Sequence, residues 1–150
     1  MKNLFPILSL ALLLSACAEP LSTETFIPGA GPYVFTVDLS DSTAVYDLDL
    51  YTRLDGTPEV LLPLEGACFR AEWKAPTDSV YVEKIYLPLN RGKKSYFSSQ
   101  VYESFKADWT PSACGLWTLS LRPEDRSALL PLRGMGLVLT RKYSLWDTEN

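Results

Sequence analysis

Tyr33-Val34-Phe35-Thr36-Val37-Asp38-Leu39 decides the fold class. Its odd-numbered residues are apolar, and Thr36 and Asp38 fall between them. Side chains of a strand alternate between faces, so this spacing describes a β-strand with one buried and one wet side. The same period recurs along the chain. From Tyr46 to Leu54, Tyr46, Leu48, Leu50 and Leu54 oppose Asp47, Asp49 and Arg53. From Cys68 to Ala75, Phe69, Ala71 and Trp73 oppose Arg70, Glu72 and Lys74. Ser79 to Leu87 is rich in Val, Ile and Tyr. Gln100 to Trp109 sets Val101, Phe105 and Trp109 on one face, and Gly115 to Arg122 does so with Trp117, Leu119 and Leu121. Gly136 to Tyr143 reads as a last strand with Leu137 and Leu139 inward. Most of the 11 prolines and 8 glycines punctuate these runs, and Asn90-Arg91-Gly92 is a turn signal. Pro123 to Leu130 is the one helical candidate, with Glu124 and Asp125 placed for the positive end of a helix dipole. The pattern predicts an all-β fold: an antiparallel β-sandwich of about seven to eight strands.

The beginning of the chain has a different character. Met1-Lys2-Asn3 is followed by Leu4 to Leu14, apolar except for Pro6 and Ser9. A membrane-spanning helix needs about 20 apolar residues, so this run fits the apolar core of a signal peptide instead. It ends Leu14-Ser15-Ala16-Cys17. That segment resembles the lipobox of bacterial lipoproteins, in which a thiol is lipidated and the chain is cut just before it. The resemblance implies a signal peptide over 1–16 and a lipidated Cys17 as the first mature residue. An ordinary secretory signal is the plainer alternative. Two or three acyl chains, as in that class, make a stable membrane anchor. Residues 17–31 hold Pro20, Pro28, Gly29 and Gly31 and read as a tether, residues 32–143 as the sandwich domain, and 144–150 as a loose tail.

Composition narrows the function classes. Lys2 is the only charged side chain in residues 1–16, so the mature chain keeps 13 basic and 18 acidic side chains. That balance argues against nucleic acid or an anionic lipid surface as the main partner. There is no histidine, which removes Ser-His-Asp and Cys-His catalysis and histidine metal sites. No metal or cofactor motif is present. With Cys17 lipidated, Cys68 and Cys114 remain, an even pair in an exported chain, and a disulfide between them is expected over two separate buried thiols. It would contribute roughly 4 kcal/mol in the chain-entropy model.

No catalytic constellation emerges, and none is expected. Asp47 and Asp49 share a strand face and are the least implausible carboxylate pair, although a solvated strand face explains them better. Asp38 and Asp41 flank a turn at Ser40 to Thr43, where turn chemistry accounts for them. Trp73 and Trp117 are in phase with apolar neighbours and read as core. Trp109 and Trp146 are the candidate binding aromatics, Trp109 at a strand end and Trp146 in the polar tail.

Two stretches carry a family resemblance. Gly115-Leu116-Trp117-Thr118-Leu119-Ser120-Leu121-Arg122 leads on to Leu130-Pro131-Leu132-Arg133-Gly134-Met135-Gly136-Leu137-Val138-Leu139. Earlier, Phe35-Thr36-Val37-Asp38-Leu39 precedes a Tyr46-x-Leu48-x-Leu50 strand ending at Arg53. Together they resemble the gliding-motility lipoproteins of the GldH family, envelope lipoproteins of Bacteroidetes. Leu54-Asp55-Gly56-Thr57-Pro58 stands where that family often has an Asn- and Tyr-rich turn, and Gly134 and Gly136 are more tightly spaced. The resemblance implies a β-sandwich in the cell envelope, lipid-anchored in the outer membrane, with no known catalytic residues. The expected function is binding of an envelope protein partner, in gliding species as part of the motility and secretion apparatus. The alternative is a glycan-binding module or a carboxylate-based glycan hydrolase.

Overall fold

The computed structural model describes residues 21–91, 93–94, 98–125 and 131–143. Cys17, Trp146, the signal peptide, the tail 144–150 and residues 126–130 of the helical candidate lie outside these. Nine strands are present among the described residues: β1 (Ser22–Pro28), β2 (Tyr33–Leu39), β3 (Ala44–Asp55), β4 (Ala67–Lys74), β5 (Val80–Leu87), β6 (Lys93–Lys94), β7 (Ser98–Trp109), β8 (Gly115–Pro123) and β9 (Leu132–Tyr143). They form two sheets, ordered β1-β9-β3-β7-β6 and β2-β8-β4-β5, in which every pairing is antiparallel. The two sheets share one apolar core, so the chain is an all-β sandwich.

The alternating residues build that core. Phe35, Leu48, Trp73 and Leu119 each expose 3% or less of their surface. They meet in one cluster with Leu50, Phe69 and Leu137. Burial of such side chains contributes about 1.5–3 kcal/mol apiece and is the main stabilising term. Pro123 ends β8 instead of opening a helix. Helix among the described residues is a single α-turn, α1 (Pro58–Leu61), and a 3-10 turn at Leu89–Arg91.

Two expectations are corrected here. The tether read over residues 17–31 contains β1, which pairs with β9 from Ser22↔Thr140 to Pro28↔Gly134. The folded domain therefore begins ten residues before 32. β1 carries almost no apolar alternation and is held by main-chain pairing. Gly29 and Gly31 then take φ of +97° and +88°, which lets the chain cross from one sheet to the other before β2.

The disulfide is the second correction. Cys68 and Cys114 are both free and exposed. The Cys68 carbonyl accepts the Glu124 N–H at 2.9 Å, just past the end of β8. Cys114 precedes Gly115, the first residue of the same strand. Strand rise separates the two ends of β8 by about 30 Å, whereas a disulfide needs Cα atoms within about 7 Å. Native protein treated with iodoacetamide is accordingly expected to gain two adducts at Cys68 and Cys114 without prior reduction. An intact mass showing no adduct until reductant is added would refute this.

Candidate functional site

Two inserted residues shape one flank of the sandwich. Along β3 and β7 the partners run Asp49↔Ser104, Leu48↔Lys106 and Tyr46↔Trp109, so β7 gains one residue at each step. Two bulges restore the inward phase of Trp109 while bending the strand towards β5. Asp108 sits in the second bulge with φ of 49°, a left-handed conformation that Asp tolerates better than most residues. Its N–H is taken by Asp47 Oδ1 at 2.8 Å.

The Asp47 carboxylate is thereby committed to structure. Lys142 Nζ bridges Asp47 Oδ2 at 2.7 Å and Asp108 Oδ1 at 2.6 Å. Hydrogen bonding to Lys142, with the Asp108 N–H, holds the Asp47 carboxyl below the usual carboxylate range. Asp108 and Asp47 in turn push the Lys142 ammonium up. Asp47 has the lower pKa in the folded state, so its stabilisation is present above the unfolded carboxylate value and is lost as pH falls through the folded one. Lys142 stabilises below the ordinary lysine value and loses that effect as pH rises through its folded value. In a carboxyl-detected NMR titration Asp47 is expected to titrate below the ordinary aspartates and to move up towards them in Lys142→Met. An unchanged Asp47 midpoint in the variant would refute the assignment.

Trp109 joins an aromatic cluster at this flank. Its ring centroid lies 5.3 Å from that of Trp73 and 5.8 Å from that of Trp117. Trp73 and Trp117 are buried, as their phase implied. Trp117 Nε1 donates to the Ala113 carbonyl at 2.9 Å. Tyr81 of β5 stacks on Trp117 at 6.0 Å and is half exposed. Glu83 closes the floor: its Oε1 accepts from Trp73 Nε1 at 2.8 Å and its Oε2 from Lys106 Nζ at 2.9 Å. Lys106 also stands 5.7 Å from the Trp109 ring centre. An open cleft of about 350 Å³ results between β5 and β7.

The opposite flank holds a second open cleft, of about 550 Å³, beside Tyr46, Leu139 and Arg141. Asp38 and Asp41 line it, and both serve the β2–β3 turn. Asp41 accepts the Thr43 N–H and hydroxyl at 2.9 and 2.7 Å, and the Ser40 N–H donates to Asp38 at 3.1 Å. No group of three or more His, Cys, Asp or Glu among the described residues could hold a metal ion.

The structure brings Asp38 and Asp41 together in the second cleft and leaves the other candidate residues dispersed. Asp47 and Asp49 lie on the outer face of the five-stranded sheet, away from either cleft, and the first cleft has one carboxylate, Glu83. Trp109 lies in that cleft as a half-buried wall. Sequence reading missed Tyr81, Glu83 and Lys106. Tyr81 and Glu83 lie in phase with the inward Ile85 and Leu87, but the bulge that sets Lys106 opposite the inward Leu48, where it meets Glu83, has no local signal.

No protein-family model matches the chain, and no curated protein does. Among solved structures, the chain is similar to an arabinose-bound α-L-arabinofuranosidase, MgGH51, at 12% identity and a TM-score of 0.32. The alignment covers 80% of this chain and 17% of that protein. A likeness at that level carries no functional argument.

Proposed function

We propose that this protein is a lipid-anchored component of the bacterial cell envelope that binds a protein partner by strand addition and does no catalysis. The observation that carries this reading is the free edge of β5. No strand lies on its outer side among the described residues. It runs eight residues without proline, glycine or a bulge. Val80, Val82 and Tyr86 are exposed on it. Sheet edges in proteins are usually blunted against such pairing, and here Lys84 is the only obvious guard. The Ala75 N–H donates to the Ser79 carbonyl, so Ser79 and every second residue after it face β4. Main-chain groups of Val80, Val82, Lys84 and Tyr86 are thus the ones turned outward, ready to pair with an added strand.

The anchor supports the same reading. With Cys17 lipidated, only residues 18–21 separate it from β1, a reach of about 14–18 Å. Confinement that close to a membrane raises the effective concentration of a partner in the same envelope, so a modest interface suffices. The resemblance to the GldH family extends the proposal to the motility and secretion apparatus of gliding species. A glycan-binding reading draws on the half-exposed Trp109 and Tyr81; glycan-array binding lost in Trp109→Ala would favour it.

The test places a photo-crosslinking amino acid at Tyr86 or, as control, at Thr36 on β2, in the lipidated chain in its native envelope. The expected result is a discrete adduct from Tyr86 that disappears when Val82→Pro is added. That proline removes an outward N–H and keeps the β4 pairing, a position where an edge strand tolerates it. No adduct, or one that survives Val82→Pro with the fold intact by circular dichroism, would overturn the reading.

A further inference from the structure

The outer face of the four-stranded sheet carries an unusual row of charge. Arg122 of β8, Arg70 of β4 and Lys84 of β5 are consecutive cross-strand partners. Neighbouring strands lie about 4.8 Å apart, so three like charges stand side by side across the sheet. Like charges placed directly opposite destabilise a sheet. The chain as a whole is net negative, at −4, so the row is no consequence of a basic composition. Arg70 and Arg122 are exposed and have no ion-pair partner among the described residues. Lys84 reaches Glu124 at 3.1 Å, but its side chain is 75% exposed. An ion pair that open to water holds weakly and exchanges readily. Glu72 is the one carboxylate on the neighbouring row, between Val82 and Ser120.

The row ends at the free edge of β5. Along that edge the outward side chains read Val80, Val82, Lys84, Tyr86. From this juxtaposition we infer that the segment which pairs with β5 carries an acidic side chain opposite Lys84, with apolar side chains opposite Val80, Val82 and Tyr86. The inference rests on the strand-addition reading and specifies its partner. An aspartate or glutamate at that register lies against Lys84 and within the field of Arg70 and Arg122. It relieves the repulsion that the row otherwise builds in. Main-chain pairing supplies the affinity, and the charge fixes the register, which for a strand of period two is otherwise free to slip.

The experiment measures anisotropy of fluorescein-labelled peptides against the full lipidated chain in detergent micelles. The probes are eight-residue peptides of alternating threonine and valine, with one valine replaced by aspartate, lysine or serine at each alternate position in turn. The best aspartate peptide is expected to bind at least five-fold tighter than its lysine counterpart, with the ratio shrinking as salt rises. Lys84→Glu should reverse the preference, and Val82→Pro should abolish binding of every peptide. Equal binding of aspartate and lysine peptides, abolished all the same by Val82→Pro, would overturn the acidic partner and leave strand addition standing. Binding indifferent to Val82→Pro, or no binding at all, would overturn both.

Discussion

Trp117→Ala is expected to destabilise the domain by about 3–5 kcal/mol, the range for emptying a fully buried large aromatic site. Only 2% of the residue is exposed. Its ring is held edge-on by Trp73 at 6.3 Å and Trp109 at 5.8 Å and is stacked by Tyr81 at 6.0 Å. Alanine removes all three contacts. It also removes the indole donor, leaving the Ala113 carbonyl to find water. A single domain has about 5–15 kcal/mol in total, so the variant should melt on the order of 10–20 °C lower. Trp117→Phe keeps most of the ring packing and should lose markedly less. Trp109→Ala, at a half-buried site, should also fall well short of Trp117→Ala. Urea unfolding followed by circular dichroism measures all three. A loss below about 1 kcal/mol for Trp117→Ala would mean that the cluster is not part of the core.

Gly136→Ala should cost about 1–3 kcal/mol, as overpacking does, and should loosen β1 first. On the outer face of the five-stranded sheet, Phe26, Gly136, Tyr51 and Tyr102 are consecutive cross-strand partners. The Tyr51 ring lies over the glycine. A Cβ there would sit 1.9 Å from Tyr51 Cε1 and 2.1 Å from Cζ. The ring must therefore leave, although it is packed between Phe26 at 5.8 Å and Tyr102 at 5.2 Å. Its hydroxyl donates to Glu24 of β1. Burial, reinforced by that carboxylate, pushes the Tyr51 phenol up to about 12. In a Tyr51→Ala background the same Gly136→Ala change should cost less than about 1 kcal/mol, because the two sites couple only through the ring. Hydrogen exchange should show β1 opening in the single variant. Additive losses would show that the glycine matters for some reason other than space for Tyr51.

The contacts that dominate these two results differ in how far the sequence announces them. Trp117 is legible because Leu119 and Leu121 follow it at steps of two. Tyr51 is not, since its partner glycine lies 85 positions further on, and nothing local says that Tyr51 will lie across it. The acidic residues divide the same way. Asp38 and Asp41 were readable as turn formers because their bonds to Ser40 and Thr43 reach only two residues along, whereas the bond Asp41 accepts from the Tyr143 hydroxyl was not readable. The clamp of Asp47 by Lys142 depends on β3 meeting β9 in one register, with Asp47 opposite Thr140.

By itself the sequence determined the all-β class, the position of seven long strands and the residues that fill the space between the sheets. Six of those strands rest on alternation within a single strand, a local consequence of backbone geometry, and Ser79 to Leu87 rests on its Val, Ile and Tyr content. The expectation of an envelope lipoprotein was drawn from it as well, and rests on Leu14 to Cys17. Everything that depends on which strand lies beside which was decided by tertiary structure. β1 was missed because Ile27 is its one side chain that packs against the core, so main-chain pairing with β9, and no hydrophobic period, makes it a strand. The Cys68–Cys114 bond was expected from counting, and it fails because the two thiols stand at opposite ends of β8. The bulges of β7 re-aim Trp109 and bring Lys106 to Glu83, while pairing alone lines up Arg122, Arg70 and Lys84 at the free edge of β5. Register is a property of two strands together, and neither strand's own sequence carries it.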